Sequence, residues 1–587
     1  MKTAFKAFSL LFAICSLLIL VGCTGDGENA TISIKISAEP GKAAISVDQL
    51  KHSITLTGPT GTKTLTIAGA GTAKAAVVPG LWTIGVEAYF GEELYAVGSS
   101  IAEVKAGRNT DVSVQMTVVW TDTAGIPNSP ATPIIKHDAE IGTWAELDTY
   151  ISGLASGDDK IILITNNISD ADSTISINNG ITVSLFATTI RTTISRDGVV
   201  HTGALFHLNT GTTLNLGMPG TPANLILDGA LGMGGSPATN ALIVFASGGT
   251  LNMYDGAVLQ NNENGIDNGG AVKGSGINDT FNMEGGSIQG NKALNGGGVY
   301  FSTGYLFMSG NAIITGNFAT DTGPSVTSYG GGVCFDSTSG VMEMSGDSQI
   351  INNGINGDGL PAGLRAESTQ GGGVYFRGSS FTMKENALVG SNKTEGDYYG
   401  YGGGAYFENV ALVTMEGNAS IVGNTAETSL DDIQGGGVHF TGTNFNLKGS
   451  SKINGNTALS QLSFADGGGI YVKTGNLIMS ENSEIMGNTA QSFYISNGGG
   501  VFLYGGTSLD KTGATKIDGY GAGPDDTRNT VKNTGGIPET STTSGPGHAV
   551  YADGIYRGLN GDALADYDLT TSNTTIGPMP SGGGWDF

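Results

Sequence analysis

GGGVHFTGTNFNLKGSSKINGNTA, residues 435–458, decides the fold. Its apolar residues alternate in three short runs, 438–440, 445–447 and 452–454, joined by polar turns. Period-2 alternation between turn residues is the pattern of short strands. A loop of variable length then leads to the next triple glycine. The opening recurs as GGGVYF at Gly296 and Gly371, GGGVCF at Gly330, GGGAYF at Gly402, GGGIYV at Gly467 and GGGVFL at Gly498. The first apolar position recurs at Val272, Val299, Val333, Val374, Ala405, Val438, Ile470 and Val501, at spacings of 27, 34, 41, 31, 33, 32 and 31 residues. One unit of this size cannot bury its own apolar face, but stacked units can, so the chain reads as a β solenoid.

Three positional series follow. Phe281 and Met283, Met342 and Met344, Phe381 and Met383, Val413 and Met415, Phe445 and Leu447 alternate in the second strand and predict stacked core ladders. Asn291, Asn317, Asn353, Asn392, Asn424, Asn456 and Asn488 each lie three residues after an aliphatic one. Asparagine suits left-handed turns, and stacked copies can hydrogen-bond in a row, so these predict a structural asparagine ladder. The glycines predict a tight corner where the loop re-enters the sheet.

The middle residue of the hexapeptide is expected to point away from the core. It reads Tyr300, Cys334, Tyr375, Tyr406, His439, Tyr471, Phe502. Stacked, these predict an exposed aromatic stripe, the candidate binding face for sugar rings or protein partners. The competing expectation is that the long loops fold over the stripe or that the rings stack on one another.

Upstream, residues 30–120 alternate in short runs such as TISIKIS and LWTIGVEAYF, broken by glycine and proline, and predict a small β-sandwich. Val78–Ile84 resembles the turn and strand of Ig-like or carboxypeptidase-regulatory-like accessory domains. Residues 121–139 read as a linker. TWAELDTYISGL, residues 143–154, predicts a helix with a Thr143–Glu146 capping box and Trp144, Leu147, Tyr150, Ile151 and Leu154 on one face. Such a helix is suited to cover the open end of a strand stack. The β-helix domain is assigned residues 140–587, its last units a cap.

The N-terminus begins with Lys2 and Lys6, an apolar run and Leu20-Val21-Gly22-Cys23. Residues 1–22 read as a signal peptide, and residues 23–29 as a tether. The ending resembles a bacterial lipobox, which implies lipid on Cys23; Thr24 after it implies, by resemblance to Gram-negative lipoproteins, an outer-membrane address. Cys15 leaves with the signal and Cys334 stands alone, so no disulfide framework is expected.

The formal charge of −25 makes nucleic acid and anionic membrane surfaces poor partners. No convincing catalytic constellation is present. The position after the methionine holds Glu284, Ser309, Ser345, Lys384, Glu416, Lys448 and Ser480, a mixed solvated edge; Asp347 and Glu408 are isolated. Among His52, His137, His201, His207, His439 and His548 only His201 and His207 are near in sequence, and no metal site is assigned. No cofactor is expected, and no calcium repeat motif supports Ca2+.

The repeat over roughly residues 140–560 resembles right-handed parallel β-helix proteins of the pectate-lyase-like class, and also chlamydial polymorphic outer-membrane proteins. Gly269-Gly270-Ala271-Val272 approaches their GGAI signature, and the IxGNTA phrase stands in place of FxxN. The repeats count to about twelve to fourteen rungs of an all-β chain, and the resemblance implies surface display and often adhesion. It departs in having no β-barrel translocator, a place the lipid anchor would fill. The expected function is a monomeric, membrane-tethered binding module for glycans or surface proteins. The alternatives are a polysaccharide lyase or glycoside hydrolase, and a structural spacer.

Overall fold

The computed structural model describes residues 30–38, 50–58, 61–68, 72–90, 93–105, 109–118, 136–187, 192–197, 203–220, 222–230, 238–321, 325–355, 365–517, 529–533, 550–552 and 584–585. Cys23, the signal and tether, residues 121–135 of the assigned linker, His201 and His548 lie outside them; Asp138 and Ala139, at the end of that linker, already pair with Ile161 and Ile162 of the β-helix. The chain forms two units, residues 1–134 and 135–587.

The first unit holds seven strands: β1 (Ala30–Ala38), β2 (Lys51–Gly58), β3 (Gly61–Ala68), β4 (Thr72–Val77), β5 (Gly80–Phe90), β6 (Glu93–Val104) and β7 (Asn109–Val118). They run in the order β3-β2-β5-β6-β7-β1-β4. The start of β7 lies parallel to β1, and only its end reaches β6, at Val118 with Ala96 and Thr117 with Val97. That strand joins two sheets whose inner faces share one core, with Ile32, Ile34, Ile54, Ile84 and Val114 fully buried around Trp82. The indole is held by a 3.0 Å hydrogen bond from Nε1 to the Val78 carbonyl.

The second unit is a parallel β-helix. In the decisive repeat the hexapeptide and the second strand merge into one strand, Val438–Leu447, followed by Lys452–Asn454. Each rung pairs in parallel with the next, here Val438 with Ile470, Phe445 with Leu477 and Ile453 with Ile485, with a register shift only at the turn between the hexapeptide and the second strand, Phe440 to Asn444. The predicted ladders are the core; Phe281, Met283, Met342, Met344, Phe381, Met383, Val413, Met415, Phe445 and Leu447 are all fully buried. Twelve described strands stack in the isoleucine row. At about 4.8 Å per rung the stack is about 50 Å long.

The stretch after each of Asn317, Asn353, Asn392, Asn424, Asn456 and Asn488, read from sequence as a loop, carries two further strands; the stretch after Asn291 carries one. In the decisive repeat they are Thr457–Ser460 and Phe464–Asp466. They stack into separate sheets of their own, of eight and six described strands. Ala426, Ala458 and Ala490 in one row and Ile433 and Ala465 in the other form a small second core between them. The solenoid therefore has a main coil and a side lobe.

The helix is Trp144–Ser152, with both hydrogen bonds of the capping box in place. It closes the N-terminal end of the stack. Trp144, Leu147 and Ile151 are buried there, and Tyr150 and Leu154 pack at the margin. The Trp144 ring meets Phe206 edge-on at 5.5 Å, and its Nε1 donates to Ser173.

Candidate binding surfaces

The triple glycine and the asparagine are one device. It lies at the neck where the main coil closes and the lobe leaves. Gly435 has φ of 78°. A methyl group on Gly436 would sit 2.3 Å from the Thr457 carbonyl carbon, and one on Gly437 would sit 2.8 Å from the Asn456 amide. The first glycine supplies a left-handed corner, the second lets two backbones touch, and the third makes room for the asparagine.

Each asparagine then binds three levels of the stack. Asn424 Nδ2 donates to the Val389 carbonyl one rung back and to Asn456 Oδ1 one rung ahead. Its own Oδ1 accepts from the backbone N–H and Nδ2 of Asn392. The same pattern links Asn291, Asn317, Asn353, Asn392, Asn456 and Asn488. Two members were missed from sequence: Asn262 before the row and Asn529 after it. Asn262 lies in one of the irregular units before Val272. Asn529 follows a longer insertion. At the oxygen end of the row the buried Arg196 guanidinium donates to Asn262 Oδ1. A cation there meets the negative end of the aligned amides, while burial pulls its pKa down to about 10.

The aromatic stripe is not exposed. Tyr375, Tyr406, His439, Tyr471 and Phe502 are buried, as is Cys334, and Tyr300 is half-buried. The lobe covers the middle of the row, Cys334 to His439. Tyr329 and Tyr401, from the lobe row next to the glycines, pack on Cys334, Tyr375 and Tyr406. Beneath this roof the rings stack along the rod. Centroid distances run 5.6 Å from Tyr375 to Tyr406, 4.6 Å to His439, 5.1 Å to Tyr471 and 4.8 Å to Phe502. Alternation gave the side of the sheet correctly; the lobe strands turned that side into a second interior.

The buried stack sets unusual titrations. Burial, then the hydrogen bond to Glu408, drives the Tyr375 hydroxyl far above its ordinary range. Burial, then Lys473, holds the His439 imidazole well below 6.5. Its Nδ1 has no hydrogen-bond partner, and its Nε2 lies 3.3 Å from Gln434 Oε1. Burial raises the Cys334 thiol well above its usual value, which makes it a poor nucleophile.

Among the described residues, seven of the twelve exposed large apolar side chains lie at the lobe tip. The turns between the two lobe strands, with the first residue of the second strand, present in four consecutive rungs Tyr398, then Leu430, then Leu462 and Phe464, then Phe493, Tyr494 and Ile495. These side chains are 39% to 59% exposed. Phe464 and Ile495 are direct register partners. Large apolar residues stacked at one edge over four rungs form a continuous ridge rather than scattered surface hydrophobes. Asp431 and Asp432 stand within it, and Asp432 accepts from Ser463 Oγ at 2.7 Å.

Among the described residues no group of three or more His, Cys, Asp or Glu side chains is placed to hold a metal ion. Also among them, no helix is long and apolar enough to cross a membrane. Asp347 accepts from Asn386 at the surface, and Glu408 is engaged by Tyr375. No protein-family model matches the chain, and neither a curated protein nor a solved structure matches it.

Proposed function

We propose that this protein is a lipid-anchored surface binding module, adhesin-like in action, that holds its partner along the β-helix. The observation that carries the reading is the ridge: exposed aromatic and aliphatic side chains repeated at one edge over four rungs of a rigid scaffold. A row of similar contacts on a stiff rod gives multivalent attachment, in which weak individual contacts add up. Apolar side chains with two carboxylates among them suit a protein surface with apolar and basic groups. The lipobox-like Leu20–Cys23 supports a lipid tether, and Thr24 supports an outer-membrane address.

The test is binding of the whole chain to Gram-negative cells and to epithelial monolayers, read by flow cytometry. A Phe464→Ser/Tyr494→Ser variant is expected to lose most of the binding and keep its thermal midpoint. Equal binding by the variant, or none by the parent, would overturn the reading. An alkyne-palmitate label is expected on the chain in cells and absent from Cys23→Ala.

A further inference from the structure

The second strand of each rung has outward positions too, and no lobe strand covers them among the described residues. Four successive N-terminal rungs place Thr182 and Ser184, Thr213 and Asn215, Thr250 and Asn252, Thr280 and Asn282 in register. The amides form a directed chain. Asn282 Nδ2 donates to Asn252 Oδ1 at 2.8 Å, Asn252 to Asn215 at 2.6 Å, and Asn215 to Ser184 Oγ at 2.9 Å. Every donor points toward the N-terminal end. Asn282 Oδ1, which has no donor among the described residues, is therefore left at the other end, where its register partner is Phe307, whose side chain has nothing to donate.

That next rung carries Tyr305 and Phe307 outward. Their rings are parallel to within 11°, with centroids 6.1 Å apart, and Tyr305 is exposed. One rung further, Glu343 follows Phe307 in register and holds Lys384 at 3.1 Å. Over two rung steps, about 10 Å, the surface thus offers an amide acceptor, a pair of aligned rings and a carboxylate. An aromatic ring takes the flat C–H face of a pyranose, and the flanking oxygens take its hydroxyl groups.

We infer that the face formed by Asn252, Asn282, Tyr305, Phe307 and Glu343 is a binding subsite for a neutral, pyranose-based polysaccharide, with sugar units following the rungs. The charge of −25 selects against acidic glycans. The site lies on the main coil and the ridge on the lobe, so either assignment can fail without the other.

The test is calorimetric titration of the whole chain with neutral hexasaccharides of β-1,4-linked glucose, xylose and mannose, with an oligogalacturonate as the acidic control. At least one neutral probe is expected to bind with Kd below about 1 mM. Tyr305→Ala and Asn282→Ala are each expected to weaken it about tenfold, and Tyr305→Phe to retain it, since the ring face is kept. All three variants should keep the parental thermal midpoint. The inference is overturned if no neutral probe binds, if Tyr305→Ala binds as tightly as the parent, or if only the acidic control binds.

Discussion

The hexapeptide row and the second-strand row belong to one sheet, share one period and bury equivalent core ladders. On their outer sides they differ completely. The first is roofed by the lobe, and its aromatic residues have become a second interior. The second has no lobe strand over it among the described residues and carries mostly half-exposed side chains, threonine and asparagine among them, with one pair of aligned rings. In a solenoid, repetition of an aromatic residue at an outward position therefore does not by itself mark a binding face. What decides is whether the polypeptide between rungs returns over it.

The contrast can be broken hardest at the neck, since lobe and coil meet there. Gly436→Ala forces a methyl group into the Thr457 carbonyl and should cost about 3 kcal/mol or more. Asn424→Ala strands buried donors and acceptors on the rungs either side and should cost about 3 kcal/mol. Denaturant titration followed by circular dichroism measures both. Replacing Tyr375, Tyr406 and Tyr471 together by alanine would empty the covered stack and destabilise the fold, so that variant reports on structure before it reports on binding.

Acid should separate the two rows next. The groups facing His439 are Tyr401, Tyr406, Tyr471, Gln434 and Lys473. None is a carboxylate that would welcome a proton on the ring. With the folded pKa held low, the unfolded chain takes up a proton near pH 6.5 before the folded one does. The stability contribution is thus fully present above pH 6.5 and lost progressively below it, toward the folded pKa. His52, buried in the sandwich with neither ring nitrogen partnered, acts with the same sign. His439→Phe should flatten the acid slope of the β-helix transition and leave that of the sandwich. Thermal melts between pH 7 and pH 5 decide it.

The smallest effect sharpens the account at single buried hydroxyls. Ser348, Ser451 and Ser483 are buried with no hydrogen-bond partner for Oγ, at a turn position that other rungs fill with Ala312, Ala387 or Ala419. Ser451→Ala should stabilise by about 1 kcal/mol. A lowered midpoint in the same denaturant titration would contradict it.

Much of the fold was legible in the residues. The spacing of the triple glycines gave the stack, alternation gave the core ladders, and Thr143 with Glu146 gave the capping helix. The side lobe was not legible as strands, because its segments are two to four residues long and differ in length between rungs. A signal did exist: the phrase Asn-Thr-Ala at 424–426, 456–458 and 488–490 keeps a small residue where two lobe sheets pack closely. The candidate stripe failed for the same reason. Period 2 says which way a side chain points, and it is silent on what else packs there. The ridge and the Tyr305 face depend on which turns and rows stay bare, a property of the assembled rungs.

The roof over the hexapeptide row is the central claim, and Cys334 is a natural probe of it. In the chain from residue 24 onward it is the only cysteine. Maleimide labelling of the native chain would be compared with that of Glu343→Cys, which adds a thiol at an outward position of the bare row. The account predicts that Cys334 resists labelling until the protein is unfolded, while the thiol added at position 343 reacts at once. Equal, rapid labelling of both thiols in the folded protein would show that the aromatic row lies open and would contradict the account.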